Sequence, residues 1–108
     1  MPSGEEARAE AFYVGLLRFD RIQKPPELEA RGGCWFRSGP VELHVGVDPA
    51  FRPAGKAHPA LRIRGLASVR AALQAAGWPV QEDTQLEGHD RWYVLDPFGN
   101  RLEFIEER

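Results

Sequence analysis

Apolar and polar residues alternate most regularly over residues 41–47. Val or Leu occupies every second position, and Glu42, His44 and Gly46 stand between them. Because successive side chains of a strand point to opposite faces, this pattern predicts a half-buried strand with one polar face. The aromatic run at residues 34–37 is closed by Ser-Gly-Pro, which predicts a preceding strand that ends in a turn.

A helical spacing precedes these strands. A helix over residues 5–17 is predicted, since Ser3 and Glu6 have the spacing of a capping box, in which each side chain satisfies a backbone donor. Its buried stripe would consist of Phe12, Tyr13, Leu16 and Leu17. Pro25-Pro26 and Gly32-Gly33 are expected to break any regular element between them.

The second half of the chain shows the order strand, helix, strand, strand, strand. A strand is predicted over residues 58–64 and a helix over residues 66–76, where apolar residues recur at steps of three and four. Gly77 supplies the left-handed stop that commonly ends a helix. After a further extended segment, two strands are predicted at residues 92–95 and 102–105.

The segment at residues 48–57, which contains two prolines and a glycine, divides the chain into halves with a similar order of elements. We predict a single domain over residues 1–108, with a first module (1–52), a linker (53–57) and a second module (58–108). The first module shows a helix and then two or three strands, so it looks like a degenerate repeat without the opening strand. Paired units of this kind pack sheets together with helices on one outer face, which predicts an α+β fold.

Composition limits the classes of function. The chain has 108 residues, 14 Lys and Arg against 16 Asp and Glu, and a net charge of −2, so it lacks the basic footprint of a nucleic-acid-binding protein. No stretch reaches the ~20 apolar residues that span a bilayer, and the acidic N-terminus does not resemble a signal peptide. A single cysteine, Cys34, excludes an intrachain disulfide. A cytoplasmic protein without nucleic-acid or membrane partners is predicted.

The run Asp-Pro-Phe-Gly-Asn-Arg-Leu-Glu-Phe at residues 96–104 resembles the terminal motif of the vicinal oxygen chelate superfamily. This group includes glyoxalases, bleomycin-resistance proteins, fosfomycin-resistance enzymes and extradiol dioxygenases, and the end of its first helix is similar to residues 12–19 here. The resemblance implies paired βαβββ modules that form a cupped mixed sheet with helices outside, the first module lacking its opening strand. A homodimer is predicted, because a missing strand leaves a sheet edge that needs covering.

The resemblance also implies a divalent metal, Fe, Mn, Ni or Zn, with ligands from both modules. His58 falls at the opening of the second module's first strand and Glu103 on its last strand, while Glu42 and His44 fall on the last strand of the first module. A fourth ligand would come from the opening strand that the first module is expected to lack. Imidazoles and a carboxylate suit such metals, and the metal would polarise a substrate oxygen. Glu42 and Glu103 are the predicted catalytic carboxylates, with Glu42 moving a proton.

Strand alternation gives a partly separate argument for these positions. If the apolar faces cover the helices, then Glu42, His44, His58, Arg62 and Glu103 converge on a concave surface suited to a ligand. Each also has a plainer interpretation. Glu42 and His44 fit the solvated face of an antiparallel sheet, while His58 and Glu103 fit exposed strand positions. Arg62 would anchor a substrate carboxylate or phosphate, or else pair with Glu103 or Glu42.

Aromatic residues supply the remaining candidates. Trp35, Trp92 and Tyr93 would line a substrate pocket for a planar molecule, or else pack within the sheets, where aromatic residues are common. Cys34 is predicted to be a buried small hydrophobe.

A glyoxalase-like small-molecule enzyme, of lyase, isomerase or dioxygenase type, is therefore predicted, with the metal polarising a vicinal-oxygen substrate. The alternative is a metal-free protein that sequesters an aromatic or cationic compound such as an antibiotic, as bleomycin-resistance proteins do. A scaffold that only dimerises would hold neither metal nor ligand. One fold hosts several chemistries, so the sequence leaves these functions open.

Overall fold

A computed structural model of the chain describes residues 1–82 and 90–107. Its internal contacts divide the chain into two units, Met1–Arg52 and Pro53–Arg108, which are described separately. Within the described ranges, no helix is long and apolar enough to cross a membrane.

The first unit is a helix followed by an antiparallel sheet of three strands in the order β1-β2-β3. Helix α1 contacts β2 and buries Ala9, Phe12 and Tyr13. The elements are α1 (Glu6–Tyr13), β1 (Asp20–Ile22), α2 (Pro26–Glu29), β2 (Cys34–Ser38) and β3 (Val41–Val45). The predicted helix and the two predicted strands are all present, and the third strand is β1.

Two details of this unit correct the sequence predictions. The prediction of a capping box formed by Ser3 and Glu6 is wrong, because the residue at the helix N-cap is Glu5 and no side chain caps the helix. Glu6 instead accepts a hydrogen bond from the backbone N–H of Gly33 over 3.1 Å, and this bond is the main reason that its pKa lies below the ordinary value. The segment after Pro25 also contains a regular element, since Pro26 begins the one-turn helix α2, a position where its missing N–H costs nothing.

The tight turn before β2 requires glycine. Gly33 has a φ of 88°, and a Cβ there would lie 2.3 Å from the carbonyl oxygen of Val45, so both the conformation and the space exclude a side chain. The buried Lys24 donates a hydrogen bond to the neighbouring carbonyl of Gly32. This turn delivers Cys34 into the core, where burial raises the pKa of its thiol.

The second unit has the predicted order of strand, helix and three strands. Its mixed sheet runs β4-β7-β6-β5, with β4 parallel to β7 and the other pairs antiparallel. The elements are β4 (Ala60–Ile63), α3 (Leu66–Ala75), β5 (Gln81–Glu82), β6 (Arg91–Leu95) and β7 (Arg101–Glu106). Together with the first unit, this confirms the predicted α+β class.

Helix α3 packs its apolar stripe against this sheet. Leu66, Val69 and Leu73 are buried, as are the alternate sheet residues Ile63, Trp92, Val94, Leu102 and Phe104. Gly65, whose φ is 73°, is the N-cap of this helix, and the backbone N–H groups of Gly65 and Leu66 donate hydrogen bonds to the Glu106 carboxylate over 3.2 and 2.8 Å. An acidic side chain from β7 thus stabilises the positive end of the helix.

The Asp-Pro-Phe-Gly-Asn sequence forms the turn between β6 and β7. The buried Asp96 accepts hydrogen bonds from the backbone N–H groups of Phe98 and Asn100 and from the Asn100 side chain, at 2.8–2.9 Å. Gly99 has a φ of 86°. The motif therefore fixes the register of the two strands that carry the candidate site.

Candidate functional site

One face of the second unit's sheet carries the polar side chains. Strand pairing places Ala60, Glu103, Tyr93 and Gln81 next to one another across the four strands. Because side chains alternate along a strand, Arg101 shares this face with Glu103, while the buried Leu102 and Phe104 lie on the other. We call this the polar face.

Glu103 is the centre of a hydrogen-bonded cluster on the polar face. Its Oε1 lies 2.9 Å from Nε2 of His58, and its Oε2 accepts a bond from Nη1 of Arg91 over 3.0 Å. The side chains of Glu103, Arg91 and His58 are only 9%, 18% and 20% exposed. Both carboxylate oxygens are therefore engaged, away from bulk water.

Both ring nitrogens of His58 lie beside hydrogen-bond acceptors. Its Nδ1 lies 2.7 Å from the backbone carbonyl of Lys56, while Nε2 faces the Glu103 carboxylate. A carbonyl and an ionised carboxylate only accept hydrogen bonds, so these two contacts position the ring beside Glu103.

The carboxyl of Glu103 is held in its ionised form. Burial by itself would raise the pKa, but hydrogen bonds from His58 and Arg91, together with their charges, outweigh this effect and place the pKa below its ordinary value. A carboxylate of this kind is a weak base, which supports a role as charge partner better than one as proton acceptor.

Tyr93 connects this cluster to a second cation. Its ring meets the ring of His58 edge-on at 5.5 Å, and the guanidinium of Arg101 lies over it, 4.2 Å from the ring centre. The Arg91 guanidinium is 5.7 Å from the same centre. A guanidinium at such distances from an aromatic face is attracted to the ring electrons, which orders both groups.

A pocket opens beside Tyr93 and Arg101. Its volume is about 490 Å³, within the range of roughly 300–1,000 Å³ that is usual for small-molecule sites. Leu95, which is 54% exposed, is the only large hydrophobic side chain exposed to that extent in the described part of the chain. The residues of the lining that matter chemically are Pro79, Val80, Gln81, Tyr93, Leu95 and Arg101.

The predicted metal ligands of the first unit lie together on β3. Nε2 of His44 is 3.5 Å from Oε1 of Glu42, and the His44 ring stacks in parallel on Trp35, with 3.6 Å between ring centres. Arg37 lies 4.0 Å from Glu42. All four side chains are on the partly exposed face of this sheet, where Trp35 packs against His44.

The described residues of the second unit do not by themselves fit a divalent metal. Among them only His58 and Glu103 offer donors side by side, whereas catalytic metal sites commonly use three protein ligands. Within residues 1–82 and 90–107, no group of three or more His, Cys, Asp or Glu side chains could hold a metal ion. The metal roles of His58, Glu103, Glu42 and His44 stay predictions.

Two other predicted substrate residues lie elsewhere than the pocket lining. Trp92 is fully buried, with its ring 5.0 Å from that of Phe104, which matches the interpretation as sheet packing. Arg62 is exposed, and within the described part of the second unit its side chain forms no ion pair, so the predicted pairing with Glu103 does not occur. Sequence reasoning missed Arg91 and Arg101, although each stands two positions before a predicted site residue.

Comparison with solved structures gives the family. A protein from Bacillus anthracis assigned to the glyoxalase family is 42% identical, with a TM-score of 0.93 over 100% of this chain and 88% of that one. Lactoylglutathione lyase from Agrobacterium tumefaciens is 21% identical, with a TM-score of 0.70 over 98% and 88% of the two chains. TnmS3, an antibiotic-binding protein from Streptomyces sp. CB03234, is 22% identical, with a TM-score of 0.74 over 100% and 91%. No family model and no curated protein sequence matches the chain.

The fold defines the class of protein, the vicinal oxygen chelate superfamily of glyoxalases, bleomycin-resistance proteins and dioxygenases, as the sequence predicted. At 42% identity over its whole length, the chain belongs to the glyoxalase family. The likenesses below 25% identity establish the fold alone.

Proposed function

We propose that the protein binds a small organic molecule with an apolar, planar part and an anionic group, in the pocket beside Tyr93. The observation that carries the proposal is the Arg101 guanidinium, which lies 4.2 Å over the Tyr93 ring in the pocket lining. Metal-free binding is the class of function that the sequence left open as an alternative, but there the expected compound was aromatic or cationic, whereas the guanidinium favours an anionic group.

The lining suits such a molecule on both counts. Pro79, Val80 and the exposed Leu95 offer apolar surface. Burying this surface against a ligand contributes about 25 cal/mol per Å² to the free energy of binding. A guanidinium binds a carboxylate or sulfonate through two parallel N–H donors. The Tyr93 ring and the Arg101 guanidinium stacked on it give a wall that a planar ligand can contact.

The polar cluster supports this function by fixing the wall of the pocket. Glu103 ties Arg91 and His58 together, and His58 packs on the edge of the Tyr93 ring. A site held by such contacts loses little conformational entropy when a ligand binds.

A fluorescent organic anion tests the proposal. 1-Anilinonaphthalene-8-sulfonate is titrated into the protein and into Arg101→Gln, and neutral N-phenyl-1-naphthylamine serves as the matched uncharged probe. We expect the variant to bind the anion about tenfold more weakly, since a hydrogen bond to a charged group contributes about 1.5–3 kcal/mol. The neutral probe should show no such difference.

Arg62→Gln is the control, because Arg62 is exposed and outside the pocket lining. Equal affinity of the wild type and Arg101→Gln for the anion would overturn the proposal. A requirement for added Zn²⁺ or Mn²⁺, lost on chelation, would overturn it in favour of the metal-dependent enzyme predicted from the sequence.

A further inference from the structure

We propose that Arg91 determines the cation specificity of the His58–Glu103 pair: its guanidinium keeps the two side chains hydrogen-bonded to each other and withholds them from divalent metal ions. This inference concerns divalent cations at the His58–Glu103 pair, whereas the pocket is proposed to bind an organic anion. It does not depend on the function proposed above.

The pair has the spacing of two metal ligands. Nε2 of His58 and Oε1 of Glu103 are 2.9 Å apart. Two donors that each lie about 2.1 Å from a metal ion, at about 90° to one another, are separated by about 3.0 Å. An imidazole nitrogen and a carboxylate oxygen are also donors that Zn²⁺, Ni²⁺ and Mn²⁺ accept. Spacing and chemistry therefore favour metal binding.

The guanidinium of Arg91 opposes it. Nη1 of Arg91 donates to the second oxygen of Glu103 over 3.0 Å, and the Arg91 side chain is only 18% exposed. A metal ion on the first oxygen would place two further positive charges close to this guanidinium, with little water between them to screen the repulsion. It would also have to displace the hydrogen that His58 shares with Glu103.

The pairing of strands fixes Arg91 in this place. Tyr93 faces Glu103 and Arg91 faces Ile105 across β6 and β7, so Arg91 is the diagonal neighbour of Glu103 on the polar face. Its charge neutralises the carboxylate, and Arg101 adds another positive charge to the same face. The two guanidiniums on this face therefore disfavour a divalent metal ion at the Glu103 carboxylate.

Calorimetric titration of the full chain with NiCl₂ and ZnCl₂ tests the inference. We expect weak binding to the wild type and an affinity at least about tenfold higher for Arg91→Gln. His58→Ala, added to Arg91→Gln, should abolish the gain, because it removes one of the two donors. Arg62→Gln is the matched control and should bind as the wild type does, since it removes an exposed arginine that does not touch Glu103.

A tight site in the wild type that depends on His58 and Glu103 would overturn the inference, and so would an Arg91→Gln protein that folds but gains no affinity. A measurement on the wild type covers the case in which Arg91→Gln does not fold. The ring ¹⁵N resonances of His58, assigned by their loss in His58→Gln, should stay unchanged in about tenfold excess of ZnCl₂. A shift of these resonances on addition of zinc would overturn the inference by itself.

Discussion

Each of the two units places a glutamate beside a histidine on the polar face of its sheet, but in different surroundings. Glu42 and His44 are 43% and 46% exposed, and their nearest atoms are 3.5 Å apart. Glu103 and His58 are 9% and 20% exposed, in contact at 2.9 Å, and joined by Arg91. The residue types that suggested a metal site are the same in both, so the difference lies in burial and in the guanidinium.

The comparison shows why residue type alone does not define chemistry. An exposed pair keeps most of its hydration, and holding two mobile side chains together gains little. A buried carboxylate must replace its water with fixed donors, and here it does so with the His58 ring and the Arg91 guanidinium. The second unit therefore contains an ordered charge cluster, whereas the first contains an aromatic stack with a loosely paired acid.

The largest expected effect is the loss of the Glu103 charge. Glu103→Gln should lower the free energy of unfolding by about 3 kcal/mol, since removing one partner of a buried pair leaves the other charge uncompensated. Urea unfolding followed by tryptophan fluorescence measures this change. A loss below about 1 kcal/mol would show that the cluster is no more important than an exposed pair.

A pH series sharpens the same comparison. The pKa of Glu103 is lower in the folded chain than its ordinary value of 4.5, so its carboxylate stabilises the fold above that pH. This contribution is lost as the pH falls through the lowered folded value, because protonation then removes the charge in both states. The stability gap between the wild type and Glu103→Gln should thus narrow as the pH falls below 4.5. A constant gap would contradict an ionised Glu103.

The smallest effect is expected in the first unit. Glu42→Gln should change the free energy of unfolding by no more than about 0.5 kcal/mol, as is usual for exposed ion pairs. The same urea titration, run in parallel with Glu103→Gln, measures it. A loss as large as that of Glu103→Gln would remove the contrast between the two units.

Much of the fold followed from periodicity, and its gaps have physical causes. The strand at residues 41–47 and the helix at residues 66–76 each bury one face, and one-sided burial appears in the sequence as a periodic pattern of apolar residues. Strand β1 was not located, because three residues are too few to establish a period. Helix α1 ends at Tyr13, four residues early, and the chain turns through a positive φ at Arg18.

The candidate site was predictable only in part. His58 and Glu103 were selected by alternation and resemblance, and the structure brings them into contact. Arg91 could not be assigned to them, because its place beside Glu103 depends on the register between β6 and β7, which the turn at Asp96 sets. The homodimer and the metal stay predictions.

The turn at Asp96 has a wider consequence. The residues that carry the resemblance to the family in this sequence connect two neighbouring strands, with three hydrogen bonds donated to one buried carboxylate. The same five residues in another sequence therefore indicate this pair of strands and the turn between them. Which substrate the protein takes depends on the side chains that line the pocket beside the two strands joined by this turn.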